Sequence, residues 1–95
     1  MLDERRISEI AQEVARANLS SPNVTSVSSR PTVDLDGHDA LQITIVIKSG
    51  AESDISGDAA LDTLVDIQKR LRNEGEERFA FVGYATEEEL NASGD

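Results

Sequence analysis

The sequence predicts an α+β fold, a two-layer sandwich in the order α-β-β-α-β with two helices on one face of a three-stranded sheet. Three observations predict it. Apolar residues recur at spacings of three and four near the start and again after residue 57. Between these stretches, ALQITIVIK (40–48) alternates at the period of a strand. Pro, Gly, Ser and Asn gather at the boundaries, where the chain must turn. With 95 residues and 38% hydrophobic content there is material for one core, a single domain over residues 1–86. Residues 87–95 are expected to form a short helical turn and a frayed acidic tail.

The first helix is expected over 3–19. Ile7, Ile10, Val14 and Ala17 share a face, with Ala11 beside them. Asp3 caps its start, and Ser20-Ser21-Pro22 ends it because proline donates no backbone hydrogen bond. A strand follows over 24–35, with Val27, Val33 and Leu35 on one face by their common parity. Pro31 places this strand at a sheet edge or a bulge. Asp36-Gly37-His38-Asp39 is the hairpin turn, where glycine tolerates positive φ. The next strand, 40–48, directs Leu41, Ile43, Ile45 and Ile47 to the core.

The second helix is expected over 57–74, with Ser56 as its N-cap. Ala60, Leu61, Leu64, Val65, Gln68 and Leu71 are expected on its buried side, and Gly75 closes it. FAFVGYA (79–85) is the third strand, with Phe79 and Phe81 on one face and Val82 and Tyr84 on the other. It pairs either with the second strand in a mixed sheet or with the first in an antiparallel one. Thr86-Glu87-Glu88-Glu89 has the pattern of a capping box.

Residues suited to chemistry are scarce. The chain has one His, one Tyr, no Cys and no Trp. It lacks a Gly-rich phosphate loop and any Ser/His/acid or metalloprotease motif. A non-enzymatic protein is expected, without a cofactor or a metal. Asp34, Asp36, His38 and Asp39 are the one cluster of metal-ligand type, and counting from Asp34 the twelfth position is Ile45 rather than the bidentate acid of a calcium loop. The net charge of -10 repels nucleic acid. No stretch approaches the roughly 18 apolar residues of a membrane span. The start MLDERRISEI lacks an apolar leader, so a cytoplasmic location is expected.

Two surfaces are candidates for binding. With helices on one face only, the other sheet face is expected to stay open, and Val46, Val82 and Tyr84 are expected to make it a partner surface, with Thr44 and Ala80 alongside. Asp58, Asp62 and Asp66 recur every four residues, a stripe able to dock a basic protein.

The run from Pro22 to Ala85 resembles the cytoplasmic C-terminal domain of cation diffusion facilitators, through SPNVTSV before the strand pair and SDISGDAALDTLVDIQKRL opening the second helix. The resemblance implies a small αββαβ module that pairs through its sheet. It does not carry over metal binding, because Asp58 or Ala59 stands where that family often has a His. The element order also looks like half of a KH-type RNA fold, but no GxxG loop is present. Together these readings give an interaction module, either a homodimer or the acidic partner of a larger protein, such as an antitoxin-like neutraliser of a basic protein. The alternatives are a metal- or ligand-sensing domain using the 34–39 acids, and a small enzyme using Tyr84 and carboxylates.

Overall fold

The computed structural model describes residues 2–89. Helix α1 spans Glu4–Leu19, strand β1 Val24–Val33, strand β2 Asp39–Ile47, helix α2 Gly57–Asn73 and strand β3 Phe79–Thr86. Short 3-10 turns at Ser21–Asn23 and Ala51–Asp54 complete the described elements. The expected order, α-β-β-α-β, is the observed one. β2 is central: it pairs antiparallel with β1 and parallel with β3, so the sheet is mixed. α1 packs over β1 and β2, α2 packs over β3, and the two helices pack on each other.

Local chemistry sets the helix ends. The Asp3 carboxylate accepts the Arg6 amide at 2.8 Å, and the Ser56 hydroxyl accepts the Ala59 amide at 3.0 Å, each satisfying an otherwise orphaned donor. Gly75, at φ +96°, ends α2 in the left-handed region. The Thr86 hydroxyl accepts the Glu89 amide at 3.1 Å, as the capping pattern predicts, and residues 87–89 are helical. The expected acidic tail beyond them lies outside the described residues.

The core joins the apolar stripe of α1 to the odd-numbered face of β2. Ile7, Ile10 and Ala11 pack with Leu41, Ile43 and Ile45, all fully buried. Ala17 points to solvent instead, and Ala15 and Leu19 take its place in the core. On β1, Val27 packs against the core, whereas Val33 at its end is 61% exposed; Leu35, expected on the same strand, lies in the turn beyond it and is 107% exposed. That strand passes beyond the first turn of α1 before reaching Val33, so no helix remains to cover its end. Pro31 sits, as expected, on an edge strand, and a bulge falls between Val24 and Ser26.

α2 departs most from expectation. Thr63, Ile67 and Leu71 are the residues it buries, while Leu61 is 57% and Val65 39% exposed. The helix is rotated by roughly 80° from the orientation that its apolar stripe suggests, at about 100° per residue. Thr63 tolerates burial because its hydroxyl donates to the Ala59 carbonyl at 2.8 Å.

A buried carboxylate and a mostly covered guanidinium pair at the base of β3. Glu76, 1% exposed, accepts the Leu2 amide at 2.9 Å and the Arg78 amide at 3.0 Å. Its carboxylate also accepts the Arg78 guanidinium through Nε at 2.8 Å and Nη2 at 3.0 Å. Arg78 in turn donates to the Leu2 carbonyl, which ties the start of the chain to the start of β3. The Arg78 guanidinium holds the Glu76 carboxyl at a pKa of about 2, against the opposing effect of burial.

Ser20 is the one non-glycine residue at positive φ among the described residues, at φ 75° and ψ 124°. A side chain there crowds its own backbone, at a cost on the order of 1 kcal/mol. Ser20→Gly is therefore expected to raise the unfolding free energy by about 1 kcal/mol in denaturant titrations.

Candidate interaction surface

The strand register decides which side chains share a face. In the parallel β2–β3 pair, Ile43 lies beside Val82 and Ile45 beside Tyr84. Val82 and Tyr84 therefore point with the core isoleucines toward the helices, as does Ala80, which is fully buried. Val46 lies on the opposite face and is only 4% exposed. Val46, Val82 and Tyr84 thus do not form one open face. The reason is that both alternating sets of β3 are apolar, and only the pairing with β2 selects the set that faces inward.

The open face instead carries Phe79 and Phe81, beside Ala40 and Gln42 of β2. Their rings meet edge to face, with centroids 5.0 Å apart. Both are 40% or more exposed. Around the rim of β3, on the helix side, Leu64, Val65, Gln68, Lys69 and Arg72 join Phe79 in lining a shallow groove of about 300 Å³. Seven large hydrophobic residues are exposed among the described residues, and five of them (Leu61, Val65, Phe79, Phe81 and Tyr84) belong to the outer flank of α2 or to β3. The apolar surface is therefore one-sided. Its Phe pair is legible as a shared parity; its exposure follows from the parallel register, which leaves no local signal.

The acidic stripe is divided by the helix packing. Asp58 and Asp62 are exposed, whereas Asp66 is half-buried against α1 and accepts the Asn18 amide at 3.1 Å. Asp66→Asn keeps an acceptor for that bond and removes a like-charge neighbour. It is expected to leave the melting temperature unchanged or slightly raised, and a clear loss would show that the charge itself is needed.

Asp34, Asp36 and His38 each bring a potential ligand atom to within 4.8 Å of the others, and Asp39 lies outside that group. The Asp34 carboxylate already accepts the Asp36 and His38 amides, both at 2.9 Å, and sits 3.4 Å from the His38 Nδ1. The His38 amide bond, more than any other partner, holds the Asp34 carboxyl below its usual range. The group closes the hairpin turn, with Gly37 at φ +85°. Calorimetry with Ca²⁺, Mg²⁺ and Zn²⁺ is expected to show no saturable micromolar binding; binding abolished by Asp36→Asn would contradict this.

A second recess, about 200 Å³, lies at the carboxyl ends of β2 and β3 between Ile47, Ile55, Ala60, Tyr84 and Thr86. It is smaller than the roughly 300 Å³ at which pockets begin to enclose small ligands. Burial pushes the Tyr84 phenol above its ordinary pKa, with Thr63 opposing the shift. A phenol serving as base or nucleophile needs the opposite change. No helix among the described residues is long and apolar enough to cross a membrane. No protein-family model matches the chain, and no curated protein matches it.

Proposed function

We propose that this chain is a non-enzymatic protein-interaction module, which docks a polypeptide along β3 and the adjoining flank of α2. The observation that carries the reading is the one-sided exposure of Leu61, Val65, Phe79 and Phe81 beside an edge strand. The net charge of -10 favours protein partners over nucleic acid, whose phosphates it repels. The lining of the groove by Lys69 and Arg72 relieves that charge locally, so a polypeptide approaches here against less repulsion than elsewhere.

A photo-crosslinking residue placed at Phe81, and separately at Arg30 on the open face of β1, tests this in cells that make the protein. Crosslinks to a polypeptide are expected from position 81 and not from position 30. Equal yields from both positions, or none from 81, would overturn the reading.

A further inference from the structure

The two edges of the sheet are built differently. β1 carries the devices that keep an edge strand from pairing: a proline at 31, a charge at Arg30 and a bulge between Val24 and Ser26. β3, FAFVGYAT, has no charge, no proline and no bulge, and its residues 79–86 pair with β2 in unbroken register. Neighbouring peptide groups of a strand point alternately to its two sides. The Ala80 amide donates to the Gln68 side chain at 3.0 Å, not to β2, so its backbone N–H points away from β2 within the sheet plane, and the backbone groups of Val82 and Tyr84 share that direction. Those two residues hold out N–H and C=O groups along an edge that no other strand covers among the described residues.

The flank of α2 above that edge is ordered by charge. Asp58, Leu61, Val65 and Arg72 recur at spacings of three, four and seven, so they form one outward line with Lys69 beside it. The acid lies at the N-terminal end, the hydrophobic residues in the middle and the bases at the C-terminal end. Two such lines complement each other only when antiparallel, and helix dipoles favour the same arrangement. Gln68 adds a further sign. Its Oε1 holds the Ala80 amide, so the free edge begins at Val82, and its Nε2 is buried without a partner among the described residues.

We propose that the occupant of this surface is a second copy of the chain. The copies join β3 to β3 antiparallel about a two-fold axis, giving a continuous six-stranded sheet. That axis also sets the two α2 helices antiparallel, with Leu61 and Val65 meeting between them and Asp58 facing Lys69 and Arg72 of the second copy. This inference rests on the docking reading above and names its partner.

Sedimentation equilibrium of the full chain is expected to give twice the 10.3 kDa chain mass. Val65→Lys and Phe81→Lys each place a charge on an exposed position and are expected to weaken dimerisation by about 30-fold or more while the circular dichroism melt stays cooperative. Asp58→Arg and Arg72→Asp, on the exposed helix surface, are each expected to weaken the dimer, and the double variant to restore it. A chain that stays monomeric at all concentrations would overturn the proposal; crosslinks from position 81 to a different polypeptide would then leave the docking reading standing. A dimer unaffected by Phe81→Lys and Val65→Lys, or a double variant no tighter than the single ones, would also overturn it.

Discussion

Glu76→Ala is expected to destabilise the fold by about 3–5 kcal/mol, because it leaves the Arg78 guanidinium, only 12% exposed, without its partner. It also removes the acceptor of the Leu2 amide and frees the start of the chain from β3. For a domain whose whole stability is on the order of 5–15 kcal/mol, that loss approaches unfolding. Replacing both partners with leucine is expected to cost much less, since no charge is then left buried alone. The same pair makes stability depend on pH. The folded-state pKa of Glu76, about 2, lies below the ordinary value of 4.5, so the unfolded chain binds its proton first. The stabilisation is fully present above pH 4.5 and is lost as pH falls through the window from 4.5 to about 2. A shift of this size corresponds to about 3 kcal/mol. Chemical denaturation across that window is expected to show the decline in the native chain and a shallower one in Glu76→Gln. Parallel slopes in the two proteins would contradict the assignment.

The second large effect concerns the rotation of α2. Ile67→Ala is expected to cost about 3 kcal/mol, the usual range for emptying a fully buried aliphatic site being 2–5 kcal/mol. Leu61→Ala, at a position 57% exposed, is expected to change the stability of the isolated monomer by less than about 0.5 kcal/mol. The comparison is best made in dilute solution, where association does not contribute. Equal losses at the two positions would mean that α2 presents its apolar stripe to the core after all.

These two helices show how far the sequence could be read. The caps at Asp3 and Ser56 and the alternation of β2 are local signals, and each element appears where they indicate. α2 is different because its apolar stripe serves two surfaces. Leu61, Leu64 and Val65 outweigh Thr63 in any local count of hydrophobicity, yet a threonine whose hydroxyl is satisfied within its own helix packs in the core. β3 repeats the difficulty, since Phe79 and Phe81 are as apolar as Val82 and Tyr84, and only the register with β2 separates them. Glu76 left no signal at all. A glutamate two residues before an arginine in a polar loop is ordinarily solvated, and its burial follows from where Leu2 returns. In each case the deciding contact is long-range.

The surplus of apolar residues on α2 and β3 has a functional meaning if it is covered by another chain, and that is the central claim. Amide hydrogen exchange, read residue by residue at high and low protein concentration, tests it most directly. Val82 and Tyr84 point their amides away from β2, so in a dilute monomer they are expected to exchange quickly, while Phe81 and Gly83 between them stay protected by β2. On concentration, Val82 and Tyr84 are expected to gain protection as the second β3 pairs with them, while Ser29 and Val33, whose amides point away from β2 on the opposite edge strand, are expected to stay unchanged. Fast exchange at Val82 and Tyr84 at every concentration, or a gain of protection confined to β1, would contradict the account.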